Sequence, residues 1–161
     1  MGGAETSKRQ DVNQLSTTQT IVLGIDPGAN TGVALYVDGQ LTSLKTVTPV
    51  ELARTIEGHR PSRVVFEDSR LQSFAWNARL QCRLGPALKT ARNLGQVDAW
   101  CSLICAICEE MQIPAHGISP RRKGAKLDAE QFAQATGWTG KSNEHSRDAA
   151  MVAWPYRGAK V

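Results

Sequence analysis

No apolar run in the 161-residue chain approaches the roughly 18 residues that a membrane span requires, which excludes a transmembrane helix. The N-terminus also lacks the apolar core of a secretory signal. That absence predicts a protein kept in the reducing, cytoplasmic compartment where it is made, with no membrane partner. Cysteine is sparse: Cys82, Cys101, Cys105 and Cys108 show no pair of Cys-x-x-Cys motifs and no Cys/His zinc spacing. Cys101, Cys105 and Cys108 instead follow i, i+4, i+7 beside Leu103, Ile104 and Ile107, as small packing residues on one helix face do. An excess of acid is missing too. Net charge is +4 with a pI near 9.0, a mild lean towards polyanions such as nucleic acid.

What is present is a globular composition, 41% hydrophobic and 21% charged, in a chain long enough to bury a sizeable core without staples. Residues 1–19 are polar and without apolar periodicity, and are expected to form a disordered tail; residues 20–161 are expected to form a single domain. That domain is organised around Thr20–Tyr36. Ile21, Val22, Leu23 and Ile25 form the near-continuous apolar run of a strand covered on both faces, closed by Asp26. Pro27-Gly28 and Asn30-Thr31-Gly32 are turn chemistry, and the β-branched or aromatic run to Val37 completes a hairpin with Asp26 at its mouth. Asp38-Gly39 then predicts a tight turn into a third strand, Gln40 to Val47. Thr48, Pro49 and Glu51 form the start signature of a helix that Gly58 is expected to stop.

Arg63 to Asp68 is a second apolar strand ending in carboxylates, so Glu67 repeats the position of Asp26. The segment from Ser69 to Arg83 reads as an exposed loop or an irregular lead into a helix, Pro86 to Met111 as the longest helix, and Ile113 to Ile118 as a last strand. Ser119 to Lys126 is a basic loop. Helices over Asp128 to Thr136 and Asn143 to Tyr156 close the chain, the second presenting His145 and Asp148 from its first turns. This order of elements predicts an α/β fold, a mixed five-stranded sheet flanked by helices.

In such a fold, acids at the ends of two adjacent strands and on the terminal helix can converge at one sheet edge. Asp26, Glu67 and Asp148 packed together would repel, unless divalent cations such as Mg²⁺ or Mn²⁺ reverse the account. Two such ions about 4 Å apart activate water and stabilise the leaving oxygen in phosphodiester hydrolysis. His145, three residues before Asp148, shares its helix face and is placed to ligate metal or relay a proton. Glu144 and Asp68 are the neighbouring alternatives.

Ile25-Asp26-Pro27-Gly28 with Thr31-Gly32, Phe66-Glu67, Leu94-Gly95-Gln96 opening a long helix, and His145-Ser146-Arg147-Asp148-Ala149-Ala150 together resemble the RuvC family of Holliday-junction resolvases, within the RNase H-like nucleases. The resemblance spans Ile21 to Trp154. It implies an RNase H-like fold over residues 20–161, and a homodimer in a bacterial or phage-infected cell that nicks opposing strands of a four-way DNA junction. It also implies metal ligands at Asp26, Glu67, His145 and Asp148, with two Mg²⁺ ions per site and Mn²⁺ able to substitute. Many family members carry aspartate where His145 stands. Lys126 is the nearest match to the family's lysine near the scissile phosphate, and Arg121, Arg122 and Lys123 accompany it as DNA-binding residues. Phe74 and Trp76 stand where the family stacks an aromatic on unpaired bases, with core packing as the alternative. The helix from Leu94 to Glu110 falls where the family dimerises. Two other readings stay open: an RNase H-like protein that is not a resolvase or is not catalytic, and an actin-like ATP-binding fragment whose phosphate loop resembles Gly24-Ile25-Asp26-Pro27-Gly28.

Overall fold

The structure, a computed structural model, describes residues 19–72 and 84–158. Strands β1 (Ile21–Asp26), β2 (Thr31–Val37) and β3 (Gln40–Val47) form an antiparallel meander. Helix α1 (Pro49–His59), β4 (Arg63–Glu67), α2 (Leu84–Glu110), β5 (Ala115–Ile118), α3 (Ala129–Thr136) and α4 (Glu144–Ala153) follow. The sheet runs β3-β2-β1-β4-β5, with β4 parallel to both β1 and β5. This is the mixed five-stranded sheet flanked by helices that the order of elements predicts.

Local chemistry sets the boundaries. Asp38 and Gly39 both take positive φ, 49° and 81°, the paired left-handed conformation that matches the twist of a two-residue hairpin. At the start of α1 the Thr48 N–H donates to Glu51 Oε2 at 2.8 Å. Gly58 does not stop this helix. The helix runs on to His59, and Arg60 caps it at φ 43° with its N–H on the Ile56 carbonyl, because the following Pro61 disfavours helical geometry at Arg60. The last helix is likewise shorter than its pattern, ending at Ala153 before a 3₁₀ turn over Trp154–Tyr156. Pro155 has no N–H to continue it and its ring would meet the carbonyl four residues back.

Side chains alternate across the sheet. Leu23, Ile25, Val33, Val64 and Phe66 pack on Leu52 and Ile56 of α1 and on Cys101, Ile104 and Cys108 of α2. The cysteines therefore serve as apolar packing on that side, and burial pushes the Cys108 thiol up to about 11. Val22, Ala34, Tyr36 and Val65 face the other way, onto Phe132 of α3 and Ala149, Ala150, Val152 and Ala153 of α4. Gly24 and Gly32 lie on this second face, and α4 presses directly on them: a Cβ on Gly24 would overlap the Ala149 carbonyl oxygen and stand 2.7 Å from Ala153 Cβ, and one on Gly32 would overlap the His145 carbonyl. Glycine on the sheet and alanine on the helix bring the two backbones together. Tyr36, wholly buried, ties them with a 2.9 Å hydrogen bond from its hydroxyl to the Ala150 carbonyl. Among the described residues no helix is long and apolar enough to cross a membrane.

Candidate active site

Period two along the strands decides which acids meet. Val22 and Gly24 face α4, so Asp26, the last residue of β1, faces it too; Val65 faces α4, and Glu67, the last residue of β4, follows. The parallel pairing of β1 with β4 puts these two carboxylates side by side at one end of the sheet. Helix α4 begins at that same end. Asn143 caps it, its side-chain oxygen accepting from the Ser146 N–H at 2.9 Å. One turn on, Asp148 is buried against the sheet while His145 stays partly open to solvent at the rim.

A single ammonium joins these acids. Lys123 Nζ lies 2.6 Å from Glu67 Oε2, 2.9 Å from Asp148 Oδ2 and 3.6 Å from Asp26 Oδ1, with only 11% of its side chain exposed. His145 Nδ1 stands 3.5 Å from the other Asp26 oxygen. Burial raises the Asp26 carboxyl above the usual carboxylate range and the charges of Glu67 and Asp148 add to the rise, while Lys123 and the His145 hydrogen bond oppose it. For Lys123, burial disfavours the charge, but the Glu67, Asp26 and Asp148 oxygens outweigh it and hold the ammonium more firmly than in water. Glu67 Oε2 is buried and faces the Lys123 ammonium at 2.6 Å.

The other residues singled out in the sequence take outer positions. Lys126 is 67% exposed and reaches Asp148 Oδ2 and Glu144 Oε2 only at 3.6 Å. Arg121 and Arg122 are exposed on a 3₁₀ turn, and Glu144 points outward. Phe74 and Trp76 lie outside the described residues. Lys123, read from the sequence only as one of a group of DNA-binding cations, is the residue at the centre; nothing in the run Arg121-Arg122-Lys123 marks which of the three turns inward.

Asp68 drops out of the site by the same alternation that places Glu67 in it. Its carboxylate turns to the α2 side, where Arg70 donates to it from Nε and Nη2, each at 2.8 Å, and where Gly117 leaves room for it. The Arg70 hydrogen bonds hold the Asp68 carboxyl below the usual range. A group depressed in the folded state contributes stability above its unfolded pKa and loses it as pH falls. Asp68→Asn is therefore expected to cost about 1–2 kcal/mol at pH 7, discounted for the partly exposed Arg70. Urea unfolding should show the difference closing below about pH 4.

As placed, no group of three His, Cys, Asp or Glu side chains among the described residues forms a ready coordination shell, since the carboxylates are spread around an ammonium. The donor set still fits a hard divalent cation: it is all oxygen apart from His145, and it carries three negative charges against one.

No protein-family model matches the sequence, and no curated protein does. Solved structures do match. T. thermophilus RuvC in complex with a Holliday junction substrate superposes with a TM-score of 0.56 at 17% identity, covering 84% of this chain and 90% of that one. Thermus thermophilus RuvC superposes with a TM-score of 0.51 at 16% identity, covering 84% and 92%. The likeness is one of fold, and the fold is the RNase H-like one expected from the sequence.

Proposed function

We propose that the protein is a divalent-metal-dependent endonuclease of the RuvC type, which hydrolyses phosphodiesters in branched DNA and acts on four-way junctions as a homodimer. The observation that carries this reading is the convergence of Asp26, Glu67 and Asp148, remote in sequence, at one edge of an RNase H-like sheet. Asp26, Glu67 and Asp148, with His145 at the rim, would hold two Mg²⁺ or Mn²⁺ ions, which when bound activate the attacking water and stabilise the leaving oxygen.

The chain's own residues do the rest. Water adds to phosphorus and the P–O3′ bond breaks, leaving 5′-phosphate and 3′-hydroxyl ends; His145 at the solvent edge takes the water's proton, and solvent protonates the leaving O3′. Exposed Arg121, Arg122 and Lys126 contact the phosphate backbone, and Phe74 and Trp76 stack on bases near the crossover. Helix α2 leaves Leu103 exposed, 40%, within the Leu94–Glu110 stretch where the resemblance puts the dimer interface. The deciding experiment presents Mg²⁺ and a panel of four-way junctions, flaps, linear duplexes and RNA–DNA hybrids. Paired nicks in the junction, far faster than any cut in linear duplex, are expected; cleavage confined to hybrids, or none at all, overturns the proposal.

A further inference from the structure

We propose that Lys123 sets the metal affinity of this site by occupying it: the ammonium serves as counter-ion in the metal-free protein and must leave when a divalent cation binds. The inference rests on the nuclease reading above. A lysine is hardly ever buried unless paired, and Lys123 is paired to all three carboxylates at 2.6–3.6 Å. Lys126, two-thirds exposed and touching only Asp148 among those three, cannot replace it. A cation held by the same oxygens would stand within a few ångströms of the ammonium in a sheltered site, where like charges repel strongly. The two are mutually exclusive occupants.

The chain gives Lys123 a way out. It ends the 3₁₀ turn Pro120–Arg122 and is followed by Gly124 at φ 83°, with no atom outside its chain neighbours within 4 Å of where a Cβ would sit. Arg121, Arg122, Gly124 and Ala125 are all exposed, so the side chain can swing to solvent without disturbing the core. Each metal-binding event then includes breaking these ion pairs, and the observed affinity is weaker than the carboxylates alone would give.

The test is calorimetric titration of the metal-free full chain with MnCl₂, for the wild type, Lys123→Met and Asp26→Asn, with thermal melts in chelator. Lys123→Met is expected to bind Mn²⁺ about tenfold more tightly or better, and to melt about 5 °C lower without metal but not with it. Adding Asp148→Asn to Lys123→Met should recover much of the metal-free melting temperature, as removal of one charge of each sign requires. Unchanged or weaker Mn²⁺ binding by Lys123→Met overturns the inference, while the nuclease reading stands if Asp26→Asn alone loses binding. Absence of Mn²⁺ binding in every form overturns both. Should Lys123→Met not fold without metal, the wild type decides: nitrogen-15 spectra of its lysine ammonium groups should show one slowly exchanging signal that Mg²⁺ abolishes, and persistence of that signal at saturation overturns the inference.

Discussion

Asp26→Asn is expected to reduce cleavage of a synthetic four-way junction at least about 1,000-fold while leaving junction binding within a few-fold of wild type. Asparagine keeps the shape and removes the charge at a residue that lies between Lys123 on one side and His145 on the other. Losing one of the residues that would hold the metal ions in the proposed site would remove several kcal/mol of transition-state stabilisation, and each 1.4 kcal/mol is a factor of about ten. In the proposed function the exposed cations carry the phosphate contacts, and the substitution does not touch them. Stability separates this outcome from simple unfolding. The Asp26 carboxyl is raised by burial and by Glu67 and Asp148, so its ionised form weakens the folded state relative to the unfolded one. A neutral side chain relieves that cost at neutral pH, and the variant should melt at or above the wild-type temperature. Rates are read from radiolabelled junctions in Mg²⁺ and binding from gel shifts in Ca²⁺; wild-type cleavage by the variant removes Asp26 from the mechanism.

Gly32→Ala is expected to be the most damaging small substitution in the sheet, at about 3 kcal/mol. The added methyl would overlap the carbonyl of His145 and stand 3.0 Å from the Ser146 nitrogen, both backbone atoms in the first turn of α4. Backbone cannot rotate away as a side-chain end can, so relief requires the helix to back off the sheet. Overpacking of this kind costs about 1–3 kcal/mol, and this site lies at the top of that range because the obstacle is main chain. Lifting α4 also separates Asp148 and His145 from Asp26, so whatever fraction remains folded should cut poorly. Chemical denaturation with a parallel activity assay checks this; stability within 0.5 kcal/mol of wild type, by the usual scatter of surface changes, would show that α4 is not seated as described.

The sheet was legible because its signals are local. Apolar runs, Asp38-Gly39 and the Thr48/Glu51 pair state their own geometry, and β1, β2 and β3 follow from them. The acids were legible for a related reason: a charged residue closing a buried strand has one place to be, at the sheet's end. What escaped depends on partners far off in the chain. Arg60 rather than Gly58 closes α1 because of Pro61, and Asp68 leaves the site because it is one residue out of phase with Glu67. Which basic residue enters the carboxylate cluster depends on the path of an irregular loop, and Lys123 and Lys126 are equivalent in composition there. The small residues Gly24, Gly32, Ala149, Ala150 and Ala153 were in plain view, but their meaning, a close helix–sheet seam, exists only once the two elements face each other.

That seam has a consequence for synthesis. Asp26 is made early and Asp148 late, and they meet only after the final helix settles on the first hairpin. A nascent chain still lacking that helix holds Asp26 and Glu67 but neither Asp148 nor His145, so the candidate site is incomplete. Under the proposed function, the site is assembled only when that last helix docks.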